Sequence, residues 1–204
     1  MNDNRKIIVD YIPFEINKQT INESLKNNNG RLLITGILQR ADAKNQNGRI
    51  YPRSILAREA DKYQDLIKNK HALGELDHPD SSVVNLSNVS HNVIEMHWNG
   101  NNLVGTIEVL HTPAGKILQE LLTAGIKVGI SSRGLGSVQE NVDGAHEVQE
   151  DFELIAFDTV SNPSTHGAYM STIHESVDKF GQSCVNKYCK IQEIVTEILI
   201  DMGE

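Results

Sequence analysis

Cysteine is almost missing from this chain of 204 residues: Cys184 and Cys189 are the only two, and both lie near the C-terminus. Two thiols make no disulfide scaffold, and their spacing is not that of a Cys-x-x-Cys redox or zinc pair, so both are expected to stay reduced and without chemistry. Long apolar runs are lacking too. None approaches the roughly 20 residues of a membrane span, and Met1-Asn2-Asp3-Asn4-Arg5-Lys6 does not lead into a secretory apolar stretch, so a cytoplasmic protein without a membrane partner is expected. Positive charge is scarce: 19 Lys and Arg face 27 Asp and Glu, a formal charge of -8. With a pI near 5.5 and no basic cluster, nucleic acid is not expected as a partner.

The length suits one domain with a decorated end, large enough to bury a core without disulfides or metal. Residues 1 to 30 are polar and irregular, although Ile7-Ile8-Val9 could add a strand, and Asn27-Asn28-Asn29-Gly30 is a turn signal before a strand from Arg31 to Gln39. Asn45 to Arg49 reads as a loop. From Pro52 and Ser54 a helix should run to about Lys70, with Ile55, Leu56, Ala60, Tyr63 and Ile67 on its apolar stripe. Alternation from Asn88 to Trp98, the turn Asn99-Gly100-Asn101 and the stretch Leu103 to Leu110 predict a hairpin. Thr112-Pro113 caps a further helix that buries Ile117, Leu118, Leu121 and Leu122 and ends at Gly125. Extended segments follow over Lys127–Gln139 and Val148–Val160. Beyond Ser176, apolar positions three and four apart predict an amphipathic helix. The organisation is therefore an N-terminal extension (1–30), a central domain (31–175) and a C-terminal helical segment (176–204).

Two segments carry chemistry. Gly74-Glu75-Leu76-Asp77-His78-Pro79 presents a histidine whose backbone the following proline restricts to extended conformations. Gly129-Ile130-Ser131-Ser132-Arg133-Gly134 presents two hydroxyls on a strand, pointing to opposite faces. Ile130 and Ser132 share one face; Ser131 and Arg133 share the other. A serine is a poor nucleophile until a neighbouring base takes its proton, so this pairing points to acyl transfer. The segment is not a Gly-x-Ser-x-Gly elbow, because its glycine spacing differs. An acid that fixes the imidazole is needed as well, and Asp158 is the candidate, since it interrupts the apolar run 154–160 where an unpaired carboxylate would be costly. No His-Glu-x-x-His or Cys/His pattern is present, and no metal or other cofactor is expected.

These segments, together with Asn47-Gly48-Arg49, Tyr51-Pro52, Thr112-Pro113-Ala114-Gly115 and Phe157-Asp158-Thr159-Val160-Ser161-Asn162-Pro163-Ser164, resemble the myovirus-type prohead core protein proteases of tailed phages over roughly residues 31 to 175. The resemblance implies an α+β fold with a herpesvirus-protease-like β-barrel core surrounded by helices. It implies a serine endopeptidase inside the immature prohead in the host cytoplasm, whose partners are the phage scaffold and major capsid proteins, with a homodimer or larger oligomer left open. Cleavage after Glu in Leu/Ile-x-Glu contexts, self-cleavage included, belongs to the same expectation. His78 is then the general base. Ser132 is the favoured nucleophile, because Ser132-Arg133-Gly134 fits a Ser-x-Gly arrangement, with Ser131 the alternative.

Asp158 fits the third position, while His146 and His166 keep a Ser-His-His version open. Backbone around Arg133 and Gly134 would serve the oxyanion or substrate, and Arg133, Arg49 and Lys127 are the cations available to a substrate carboxylate. Glu193, in Ile191-Gln192-Glu193, and Glu175, in Ile173-His174-Glu175, are the expected self-cleavage positions. A non-catalytic head-assembly protein that binds scaffold through the same fold is the alternative.

Overall fold

The computed structural model describes residues 6–13, 18–79, 81–142, 144–161, 176–177 and 183–184. Its architecture is α+β. In the unit Met1–Thr172, strands β2 (Leu32–Arg40), β6 (Asn102–Val109), β5 (Val89–Asn99) and β4 (Leu73–Glu75) form an antiparallel sheet in that spatial order. The predicted hairpin is β5–β6. Asn99 pairs with Asn102, leaving a two-residue loop whose Gly100 has φ +58, a backbone region that glycine enters without steric cost.

A second sheet holds β1 (Lys6–Pro13), β7 (Gly129–Gly136) and β10 (Glu153–Val160), with β7 in the centre and both pairings antiparallel. A small third sheet joins β3 (Arg49–Ile50), β9 (His146–Val148) and β8 (Val138–Glu140). The closed barrel implied by the resemblance is not formed among the described residues. β4 has three residues and a register shift at Gly74/Glu75, and it reaches β10 through a single parallel bridge, Leu76 to Thr159. The sheets abut there without a continuous ladder.

The core lies between the four-stranded sheet, the inner face of β7 and β10, and three helices: α1 (Lys18–Asn27), α2 (Arg53–Lys68) and α3 (Pro113–Thr123). Ile34, Leu38, Val93, Ile107, Ile130 and Phe157 are fully buried, each stabilising by roughly 1.5–3 kcal/mol. In α3 the Thr112 hydroxyl accepts from Gly115 N at 3.0 Å, as an N-cap should. Ile117, expected inside, is exposed, and Ala114, Leu118 and Leu122 make the buried stripe.

Two elements sit in the stretch read as an irregular extension. Ile21 of α1 is fully buried, and β1 pairs with β7 along its whole length. In the unit Ile173–Glu204, β11 (Ser176–Val177) pairs with β12 (Ser183–Cys184). The amphipathic helix expected further on, and Glu175, Glu193 and His166, lie outside the described residues.

Candidate active site

β7 supplies the serines, and its alternation is the one read from the sequence. Antiparallel pairing sets Asp158 of β10 opposite Ser131 and Phe157 opposite Ser132. Residues directly opposed on antiparallel strands project to the same face, so Ser131, Arg133 and Asp158 share one side of the sheet. Phe157 goes to the other side, where its ring meets Tyr63 of α2 edge-on at 5.3 Å, a contact that contributes about 0.5–1.5 kcal/mol beyond burial. The same helix grips the start of β10. Arg58 Nη2 donates to Phe152 O at 2.7 Å, and Glu59 Oε2 accepts from Leu154 N at 3.0 Å. Thus α2 anchors the strand that presents Asp158.

His78 arrives from the loop after β4. Leu76 bridges to Thr159, Asp77 N donates to Thr159 O at 2.7 Å, and Asp77 takes φ +69. Asp tolerates this left-handed conformation better than most side chains. Its Oδ1 also accepts from His78 N at 2.9 Å, so the chain turns sharply and brings the imidazole over β7. Glycine at 74 is required by close approach: a Cβ there would stand 2.1 Å from Phe157 O and 2.3 Å from His91 Nε2.

The result is a line of three side chains. His78 Nε2 lies 2.8 Å from Ser131 Oγ, and His78 Nδ1 lies 3.0 Å from Asp158 Oδ2. The second separation is of hydrogen-bond length, but Nδ1 makes no aligned hydrogen bond. The pair is a close electrostatic contact, since distance rather than angle sets the attraction between a carboxylate and the ring. Ser132 is not part of the line. Its Oγ accepts from Gln39 Nε2 of β2 at 2.7 Å, on the opposite face, so the favoured meeting of Ser132 with His78 is replaced by that of Ser131.

Arg133 braces both Asp158 and a neighbouring loop. Its side chain is fully buried, and it donates through Nε to Asp158 Oδ2 at 2.7 Å and through Nη2 to Asp158 Oδ1 at 3.2 Å and Glu75 Oε1 at 2.9 Å. Nη1 reaches Ser81 O at 2.6 Å and so holds the loop beyond Pro79. Such a guanidinium is committed to internal carboxylates. Gly134 sits where a Cβ would come 2.4 Å from the Phe152 ring, which explains its glycine by packing. His146 is on β9, its N–H donating to Gly48 O at 2.8 Å, and it forms no part of the His78 line.

Electrostatically, burial opposes the ionisation of Asp158 most strongly. The His78 ring, the Arg133 fork and the Glu75 N–H, which donates at 3.0 Å, nevertheless hold its carboxyl below the ordinary value of 3.8. An ionised Asp158 can orient an imidazole and stabilise imidazolium.

Three residues near the line were not assigned roles from sequence: Gln39, Asp10 and Tyr51. Tyr51 and Asn47-Gly48-Arg49 stood in the segments that carry the resemblance, which was their one signal. Asp10 follows three apolar residues and gives none.

A model of the family described as prohead core protein serine protease matches residues 4–178. The prohead core protein protease of Enterobacteria phage T4 is 35% identical over 145 residues, 69% of this chain and 68% of that protein. The solved structure of the bacteriophage T4 capsid assembly protease, gp21, superposes with a TM-score of 0.67 at 29% identity, covering 78% of this chain and all of the other. A strand serine against a loop histidine, on a fold shared with a capsid assembly protease and under a family match spanning most of the chain, leads to one conclusion: this chain belongs to the prohead core protein serine protease family.

Proposed function

We propose that the chain is a serine endopeptidase of the phage prohead that uses Ser131, His78 and Asp158 to cut scaffold and capsid proteins during capsid maturation. The observation that carries this reading is the 2.8 Å approach of His78 Nε2 to Ser131 Oγ with Asp158 behind the ring. In the reaction, Oγ bonds to the substrate carbonyl carbon as its proton passes to Nε2. Collapse of the adduct breaks the C–N bond, and the leaving amine takes that proton. Water then attacks the acyl-enzyme by the same route, returning the hydroxyl to Ser131. Asp158 stabilises the imidazolium at each stage, and Arg133 keeps Asp158 ionised and oriented.

Cleavage after glutamate in Leu/Ile-x-Glu contexts is the expected specificity, with Glu193 and Glu175 the self-cleavage positions. The protein would act inside the prohead in the host cell, on scaffold and major capsid proteins. The test compares Ser131→Ala, Ser132→Ala, His78→Ala and Asp158→Asn for cleavage of a Leu-Ala-Glu peptide and of scaffold, with mass spectrometry of the ends formed. Retention of cleavage by Ser131→Ala or His78→Ala would overturn the assignment. One observation favours the non-catalytic head-assembly reading: Ser131 has no solvent exposure. If every variant and the parent chain leave peptide and scaffold intact, that reading prevails.

A further inference from the structure

Glu75 is a carboxylate with almost no exposure, set just ahead of His78 in the chain. Taking such a group out of water is strongly unfavourable unless donors surround it. Its donors are unevenly spread. Oε1 accepts from Arg133 Nη2 at 2.9 Å and from Asn85 N at 3.0 Å, whereas Oε2 is buried with no hydrogen-bond partner among the described residues. A half-satisfied buried carboxylate adds little to stability, and an apolar side chain of similar size often holds a fold as well. What this arrangement does provide is a link between Asp158 and the loop that carries His78.

The link to Asp158 runs through Arg133. Nη2 stands 2.9 Å from Glu75 Oε1 and 3.2 Å from Asp158 Oδ1, so its shorter contact goes to Glu75. Bonded to Asp158 alone, the guanidinium could settle both arms on that one carboxylate as a fork. Glu75 draws one arm aside. Asp158 Oδ2, which accepts from Arg133 Nε at 2.7 Å, stays turned towards His78 Nδ1 at 3.0 Å, and the Glu75 main-chain N–H fixes Oδ1 at 3.0 Å.

The link to the loop is made by two main-chain groups. Arg133 Nη1 donates to Ser81 O at 2.6 Å, and Asn85 N donates to Glu75 Oε1, so both end on the same buried ion pair. At the base of the loop, next to Glu75, Leu76 N donates to Asn88 O at 3.0 Å and Asn88 Nδ2 to Leu76 O. The frame that carries the base and the carboxylate that backs it are thereby held by one side chain. We propose that Glu75 is a positioning residue of the peptidase: it divides Arg133 between two carboxylates and anchors the loop after His78, so that Asp158 and the imidazole meet in one orientation. It acts through Arg133 and Asp158 rather than on the reacting atoms. This rests on the reading of Ser131, His78 and Asp158 as the catalytic line.

The test is a double-mutant cycle in the full chain, with cleavage of a Leu-Ala-Glu peptide resolved into kcat and KM. Glu75→Gln keeps the size of the side chain and removes its charge. It should lower kcat by ~10- to 100-fold, the contribution of a charge-assisted hydrogen bond, with KM within about twofold of the parent. In an Asp158→Asn background the same substitution should change kcat by less than about twofold, because the group it acts through is already altered. Asn85→Pro reaches the same carboxylate from the surface. Asn85 has φ −86, near the value of about −65 that proline fixes, and proline has no N–H to donate. This variant should lower kcat by ~3- to 10-fold, while Asn85→Ala, which keeps the N–H and loses only the side-chain bond to Ser87 N, stays near the parent. An equal loss of kcat from Glu75→Gln in both backgrounds, a loss confined to KM, or an Asn85→Pro variant no different from Asn85→Ala would overturn the inference. A crystal structure of Glu75→Gln, which needs no activity, should show Asp158 turned from His78 and Ser81–Asn85 displaced; an unmoved line would overturn it as well. If the parent cuts nothing, or Ser131→Ala and His78→Ala cut as the parent does, the peptidase reading fails and that crystal structure alone decides whether Glu75 positions Asp158.

Discussion

Asp158 stands directly opposite Ser131 in the antiparallel register of β10 on β7, and His78 spans the two side chains from above. That register makes Ser131, rather than its neighbour, the hydroxyl within reach of an imidazole backed by a carboxylate.

The two serines should separate cleanly in kinetics. Ser131→Ala is expected to lower kcat/KM by roughly four to six orders of magnitude, as loss of a nucleophile does in serine peptidases. Ser132→Ala removes the acceptor of Gln39 Nε2 and should cost about 1–3 kcal/mol of stability, with activity kept within about tenfold. Peptide cleavage alongside thermal denaturation of both variants checks this, and a reversed order would refute the face assignment.

Arg133 answers to two carboxylates, so its charge and its shape can be tested apart. Arg133→Met leaves Asp158 and Glu75 buried without their cation and should lower stability by about 3–5 kcal/mol in denaturant titrations. Arg133→Lys keeps the charge but not the two-pronged fork. Its kcat should fall by ~10- to 100-fold with KM little altered, because the orientation of Asp158 rather than substrate binding is disturbed. Equal losses of kcat and stability in both variants would indicate a purely structural residue.

Acid should destabilise the fold in two steps. His91 is fully buried, and burial lowers its pKa from 6.5 to about 4 against the attraction of Asp158 and the Phe157 carbonyl. The unfolded chain therefore binds a proton in this window that the folded chain refuses. The contribution is complete above about pH 6.5 and declines as pH falls through about 4, on the order of 3 kcal/mol in all. Asp158, whose pKa is lowered, adds a loss that begins below its ordinary 3.8. Asp10 works in the opposite sense: burial raises its pKa against Arg49 and its hydrogen bonds, so its contribution is present below 3.8 and fades as pH rises through the raised value. Denaturant titrations from pH 4 to 7 should show a slope that His91→Gln flattens; an unchanged slope in that variant would be inconsistent with a neutral buried His91.

Gly74→Ala should damage stability and activity together. The added methyl would meet a main-chain oxygen at 2.1 Å, and forcing β4 away from β10 should cost about 1–3 kcal/mol. Because Leu76 and Asp77 dock on Thr159 just beyond, His78 should lose its place over Ser131. A variant with parental melting temperature and kcat would show that this approach is not needed.

How much of this was legible in the chain differs element by element. Helices α2 and α3 and the β5–β6 hairpin follow from local signals: apolar residues three and four apart, the Thr112-Pro113 cap, the Asn-Gly turn. Each is completed within about twenty residues. β1 was legible only as a possible strand at Ile7-Ile8-Val9, and α1 was hidden because its apolar residues are few and the partners of both are distant. Ile8 finds its partner in Gly134 of β7, a pairing no local pattern announces.

By itself the sequence determined that Ser131 and Ser132 face opposite ways, because strand periodicity is a property of the backbone, and it brought forward His78 and Asp158 as partners. Only the tertiary structure decided which face meets the histidine. That choice depends on the register of β10 on β7 and on the left-handed turn at Asp77, and both are set by contacts between segments far apart in the chain. The same long-range pairing placed the Asp10 main-chain oxygen against Ser131 Oγ and gathered Asn47, Arg49 and Tyr51 around the Asp10 carboxylate.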